Sequence, residues 1–330
     1  MNITLLSILL LTSLFIAKSR DLLAVTMLFS IYGLISASFF MSMDAVDVAF
    51  TEAAVGAGVS PLLMLATLAS VGRYQKKPTD PEIPKVALLL VIITGILLII
   101  GTLDMPAFGA ADAPAHQHVA PRYIKESPEE IGIPNMVTSV LASYRAYDTL
   151  GEVVVIFTAG IGVLSLLNFR RRRRNIHLID DIIAIDEHKI LRIVSKILIP
   201  PILIFGLYVQ FHGDFGPGGG FQAGVIFAAA IILYVLFFGV KYAHQVVNQT
   251  FVRVFSAIGV LLYGSVGVVS LLNGKNFLDY HVLAENPTTA QHIGILVIEL
   301  GVGITVACVM ILIFFSFIEN IEKVIQELRK

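Results

Sequence analysis

Three glutamates stand in stretches that otherwise carry little charge. Glu52 lies in DAVDVAFTEAAVGAGVS, Glu152 in YRAYDTLGEVVVIF and Glu299 in QHIGILVIELGVGITVA. A carboxylate held in hydrocarbon costs about 2.5–3.5 kcal/mol even on lenient insertion scales, so each needs an ion path, a buried partner or a proton relay. Asp44 and Asp47 precede Glu52 on the outer side of its run, and small residues (Ala53, Ala54, Gly56, Ala57, Gly58) follow it. Asp148 lies four residues before Glu152, which puts both acids on one helix face, and Arg145 lies on that side too. Two acids and a guanidinium can hold a proton or a cation, because neighbouring charges tune carboxylate ionisation. His292 lies seven residues before Glu299 and shares its face. Simpler roles stay open: a hydrogen-bonded structural Glu52, and Asp148 as a helix cap favoured by the helix dipole.

A fourth feature is the glycine cluster in FHGDFGPGGGFQAGVIFA, residues 211–228. It fits no nucleotide motif. After Gly218 and Gly220 the third position of a GxGxxG pattern is Ala223, and no Gly-Lys-Ser/Thr follows. It reads as a tight outer hairpin, with His212 and Asp214 at the exit of one helix and Pro217 opening the next. Gly218, Gly219, Gly220 and Gly224 leave that second helix bare on one side. The bareness serves close helix packing or also exposes amides to an ion.

Metal and cofactor chemistry find little support. His116 and His118 in AHQH have no third ligand nearby, and the single cysteine, Cys308, excludes an internal disulfide or a cysteine cluster. No metal, cofactor or catalytic residue is expected.

The elements that must position these residues are membrane helices. Hydrophobic residues make up 56% of the chain and charged residues 14%, against roughly a quarter charged in soluble domains. Apolar runs of bilayer-spanning length fall near residues 2–17, 21–42, 46–71, 84–103, 149–168, 190–211, 218–240, 250–272 and 292–318. The third is interrupted by Gly56, Gly58 and Pro61, and Pro200 with Pro201 break the backbone ladder of the sixth. The first run lacks a cleavage site and reads as a retained span. With the N-terminus outside, 19 of the 23 Lys and Arg fall on the inner side, the usual topogenic bias. The expected fold is therefore all-α: a polytopic protein of about nine transmembrane helices, N-terminus outside and C-terminus cytoplasmic, in the cell membrane.

The chain divides into a four-helix module at 1–103, an external loop at 104–147, and a further transmembrane helix at 148–169. A cytoplasmic linker at 170–188 leads to a second four-helix module at 189–330. Five arginines at 170–174 follow an apolar run, so they read as an anchor facing anionic lipid and not as a nucleic-acid site.

The second module resembles the MnhB-type component of multisubunit Mrp/Mnh Na⁺/H⁺ antiporters, on Tyr208, His212, Gly213, Pro217, Gly218, Gly219, Gly220, Phe221 and Gln222. Asp214 stands where that family commonly shows a second His, and Ala223 where Gly is common. The first half is similar to the C-terminal part of the large A-type component of the same antiporters, and to small membrane subunits of membrane-bound hydrogenases. The residues that carry this are DVAFTEAAVGAG at 47–58 and RAYDTLGE at 145–152. Together the resemblances imply a fusion of both modules that works with other subunits of an antiporter complex exchanging Na⁺ for H⁺. Energy-converting hydrogenase arms are the alternative, and a purely structural role the second. By resemblance, Glu52 and Glu152 lie along an ion route. Asp47, Asp148, His212, His292 and Glu299 are further candidates, with Pro217 to Phe221 as a structural motif.

Overall fold

The computed structural model describes residues 2–76, 83–107, 109–167 and 189–328. The basic and acidic linker, residues 170–188, lies outside them. The described residues form helices joined by turns and irregular stretches, with one isolated bridge between Asp21 and Tyr74.

The order is α1 (Asn2–Lys18), α2 (Leu22–Ser42), α3 (Val46–Glu52), α4 (Ser60–Val71), α5 (Ile83–Gly101), α6 (Ala120–Glu130) and α7 (Met136–Ser139). Then follow α8 (Ala146–Leu167), α9 (Lys189–His212), α10 (Gly220–Phe238), α11 (Val240–Val246), α12 (Gln249–Leu272) and α13 (Pro287–Leu328). Seven helical segments among the described residues are long and apolar enough to cross a bilayer: Leu22–Ser42, Val46–Ala69, Ala146–Leu167, Lys189–His212, Gly220–Phe238, Gln249–Leu272 and Pro287–Asn320. Two shorter apolar helices, Asn2–Lys18 and Lys85–Gly101, occupy the remaining expected runs. The chain is a multi-pass, all-α membrane protein.

Local sequence explains the departures from regular helix. The run at 46–71 stays helical through its glycines, but Ala53–Val59 is wound as a π-helix between α3 and α4. Such segments relieve a local misfit without ending a helix, and often mark functional positions. At Gly33 a Cβ would lie 2.6 Å from the Gly56 carbonyl carbon, so α2 and the π-helix meet backbone to backbone. Helix α9 runs on through Pro200 and Pro201.

Two expectations need correction. Residues 104–147 are not simply a loop: they hold a π-helical turn (Ala115–Val119), α6, α7 and a second π-helical turn (Val140–Tyr144). Ile131, Ile133, Ala142 and Ala146 are buried there, so the segment's apolar residues close over the bundle. Pro217 does not open α10. The helix begins at Gly220 with Gly219 as its cap, because Gly218 and Gly219 are taken up by bonds and contacts described below.

Helix α13 is the hub, packing against α12, α10, α8 and α4. Small residues permit this: Gly224 meets the Gly303 carbonyl, and Gly259 meets that of Gly301. Two buried tyrosines, Tyr263 of α12 and Tyr280 of the turn ahead of α13, hold the outer segments. Tyr263 donates to Ala146 O and Tyr280 to Ala142 O, each at 2.7 Å.

Candidate functional site

A cavity of about 330 Å³ opens where α3, α7, α8, α10 and α13 converge. Its lining includes Asp47 and Thr51 from α3, Glu152 from α8, Glu299 from α13, and the run Gly218 to Gln222. Asp47 and Thr51 are four residues apart, hence on one face of α3. Both are bound to the glycine segment: Gly218 N donates to Asp47 Oδ1 at 3.3 Å, and Gln222 Nε2 donates to Thr51 Oγ1 at 2.9 Å.

Glu299 presses on the same segment from the other side. A Cβ at Gly219 would lie 2.9 Å from its Oε1, and a Cβ at Gly213 would lie 3.1 Å from its Oε2. The glycines therefore let a buried carboxylate lie directly on main chain. Gly219 is also left-handed, with φ of 112°, a conformation that L side chains avoid.

The 131–139 segment clamps this hairpin from outside. Asn135 Nδ2 donates to the carbonyls of Gly213 and Gly216, both at 3.0 Å, and Thr138 Oγ1 donates to Gly213 O at 2.7 Å. Asn135 N donates to Asp214 O at 3.0 Å, while Asn135 Oδ1 caps α7 by accepting from Val137 N. Asp214, in the hairpin, meets His292 Nδ1 of α13 at 2.7 Å. Burial raises the Asp214 carboxyl above the usual aspartate range, and the neighbouring His292 opposes that rise.

The expected residues divide accordingly. Asp47, Glu152 and Glu299 share the cavity with Gly218, Gly219, Gly220 and Phe221. Glu52 does not line it: its carboxylate folds back along its own helix onto Gly56. Asp148 is drawn aside by Arg145, with Nη2 2.5 Å from Oδ2, and both are largely exposed. The guanidinium thus serves Asp148 and leaves Glu152 in the cavity. His292 pairs with Asp214, and His212 stacks on Tyr208 with ring centroids 4.7 Å apart. His116 and His118 lie on an exposed turn. Sequence reasoning missed Asn135 and Thr138, although an Asn opening a short helix is a capping signal.

No Lys or Arg is among the residues that line the cavity, so its three carboxylates call for a counter-charge: protons, a cation, or both. Among the described residues, no three His, Cys, Asp or Glu gather closely enough to hold one metal ion.

Known proteins resemble this chain in parts. Residues 190–312 match the family model described as a domain related to the MnhB subunit of the Na⁺/H⁺ antiporter. A putative antiporter subunit mnhB2 of Staphylococcus aureus (strain Newman) is 35% identical over 130 residues, covering 38% of this chain and 92% of the relative. The chain belongs to the MnhB family. Ahead of this MnhB-family region, residues 7–73 match the MbhD model and residues 87–181 the MbhE model, both describing subunits of MBH. A probable K(+)/H(+) antiporter A/B protein of Rhizobium meliloti (strain 1021) is 26% identical over 275 residues, 76% of this chain. This MnhB-family chain spans only 27% of that relative's length.

Among solved structures, a chain of the Mrp complex from Dietzia sp. DQ12-45-1b superposes with a TM-score of 0.77 at 25% identity, over 95% of this chain and 34% of that one. A chain of the membrane-bound sulfane sulfur reductase, an archaeal respiratory membrane complex, gives 0.53 at 28% identity, over 72% and 97%. Asp47, Glu152 and Glu299 fall one in each of the three matched regions.

Proposed function

We propose that this MnhB-family chain is a membrane subunit of a multisubunit monovalent cation/proton antiporter, and that Asp47, Glu152 and Glu299 form part of its ion route. The observation that carries this is one cavity to which the MbhD-like, MbhE-like and MnhB-like regions each contribute one carboxylate. The chain supplies helices and acids to the path and packs against larger subunits; it is not an enzyme by itself. The cation is Na⁺ or K⁺, carried across the cell membrane, with the N-terminus outside and the C-terminus in the cytoplasm, as the distribution of Lys and Arg favours.

The test is cation-dependent proton flux in vesicles bearing the whole complex, with Na⁺ and K⁺ supplied separately. Wild-type flux that collapses in D47N, E152Q and E299Q while the subunits still co-purify supports the reading. Full flux in all three variants sinks it. The MBH-like regions and the reductase match support a second reading, the membrane arm of a redox-driven ion pump. Purification from native membrane separates the two: iron–sulfur subunits in the isolated complex favour the second, and large antiporter subunits alone favour the first.

A further inference from the structure

Beside the cavity lies a pair that the carboxylate triad does not include. His292 Nδ1 is 2.7 Å from Asp214 Oδ2, with the imidazole side chain 50% exposed and the aspartate side chain 11%. One partner thus reaches the surface and the other is buried. Asp214 follows Gly213, where a Cβ would lie 3.1 Å from Oε2 of Glu299. Along α13, Glu299 lies seven residues beyond His292, about 10 Å further into the helix on the same face. His292, Asp214 and Glu299 therefore succeed one another from the surface to the cavity.

The charged neighbours leave this series uncontested. His292 is the titratable group that Asp214 meets, and Glu299 faces Asp214 and, across the glycine segment, Asp47 on α3. His212, at the end of α9, stacks on Tyr208. On the clamping segment, Glu130 engages Tyr144 and Arg122, and Arg145 engages Asp148. Asp279 is paired with His281 at 2.8 Å. The neighbour of His292 on its own helix, Gln291, accepts from Ser143 at 2.7 Å.

We propose that His292 and Asp214 carry protons between the surface at the α9–α10 hairpin and Glu299. This rests on the reading of the cavity as a cation/proton site. Neutral His292 takes a proton from hydronium at Nε2, leaving water, and releases the one on Nδ1 to the Asp214 carboxylate. Asp214 passes that proton to the Glu299 carboxylate, and His292 exchanges tautomers to restart. One proton moves inward, and each group returns to its starting state once Glu299 has given its proton up. An imidazole is suited to the exposed position because one ring nitrogen can take up a proton while the other releases one. Burial that favours the neutral form of Asp214 suits that acid to holding a proton briefly.

The experiment compares wild type with D214N, H292Q and D214E in vesicles bearing the full complex, recording rate against cation concentration and pH. Asn and Gln keep size and hydrogen-bonding capacity but cannot titrate. We expect D214N and H292Q to lower the maximal rate about 10-fold or more, to leave the KM for the cation unchanged, and to distort the pH profile. D214E should recover much of the rate, and subunits should co-purify in all cases. Wild-type rate and pH profile in D214N and H292Q overturn the inference. So does loss of the partner subunits in both variants, or a D214E complex that is intact and as slow as D214N. Wild-type vesicles without cation-dependent flux sink the antiporter reading and this inference with it; wild-type flux matched by the variants sinks only the inference.

Discussion

The carboxylate of Glu299 rests on the backbone of Gly219, where a Cβ would lie 2.9 Å from Oε1. The next residue, Gly220, faces the Glu299 main-chain carbonyl so closely that any Cβ there would overlap it. Two of the conspicuous glycines, Gly219 and Gly220, are thus shaped by one glutamate, while Gly218 is crowded by the Val209 carbonyl.

This contact makes the glycines unequal. Gly219→Ala combines a crowded site with a left-handed backbone, and strain of that kind costs about 1–3 kcal/mol. Gly220→Ala meets main chain that cannot rotate away, so α10 and α13 must separate. Gly264, inside α12, has nothing within 4 Å of its would-be Cβ, and Ala there removes helix-breaking freedom worth roughly 0.5–1 kcal/mol. Thermal unfolding of the detergent-solubilised chain should show G219A and G220A clearly destabilised and G264A unchanged or more stable. A G220A protein as stable as wild type contradicts the packing described.

The acids should also sort by position. Asp47, Glu152 and Glu299 line the cavity; Glu52 and Asp148 do not. Cation-dependent proton flux should fall about 10-fold or more in D47N, E152Q and E299Q, the size of effect seen when a positioned proton-transfer group is removed. E52Q and D148N should transport much like wild type. Strong inhibition by E52Q with normal flux in D47N would move the route to the other face of α3.

That contrast shows where the sequence was legible. Hydropathy placed eight of the nine apolar runs within a few residues of a helix, because a bilayer demands uninterrupted apolar length. Helix α13 runs well past its expected bounds, and seven of the nine are long enough to cross among the described residues. Glu152, Glu299 and the glycine cluster stood out because charge and bare backbone are costly inside such runs. Which residues face each other was not readable. Asp47 and Glu52 are five residues apart, about 140° around a helix, and a helix apolar on most sides gives no hint of which face meets a neighbour. Asp148 and Glu152 should share a face by spacing, yet Asp148 sits in the first turn, where Arg145 draws it outward. The 131–145 segment read as loop because its helical pieces are short and its Pro, Ser and Asn are turn residues. Its role lies in bonds to carbonyls some 80 residues away.

Those bonds give a further expectation. Asn135→Ala removes two bonds to hairpin carbonyls and the cap of α7 together. Caps alone contribute about 0.5–2 kcal/mol, and a typical buried hydrogen bond about 1 kcal/mol. N135A should lower the unfolding temperature more than T138V, which loses one bond. It should also raise hydrogen exchange in residues 213–219. Unchanged exchange there means that the clamp does not hold the hairpin.

A pH effect on stability is expected from His244 in α11. Its ring stacks on Phe315 with centroids 4.6 Å apart, and burial lowers its pKa below the usual histidine value, with Glu319 partly offsetting this. The folded chain thus resists taking a proton that the unfolded chain accepts. Above the ordinary histidine pKa of about 6.5 both states are neutral and the residue costs nothing. As pH falls through that value toward the lowered folded one, the unfolded state gains protons first and stability declines. The solubilised chain should therefore unfold at lower temperature near pH 5.5 than near pH 8. Other groups add to that difference, so the decisive comparison is H244F, in which an uncharged ring keeps the stack. The gap between the two pH values should narrow in H244F, and a gap of wild-type size would mean that His244 is protonated as readily in the folded chain as in the unfolded one.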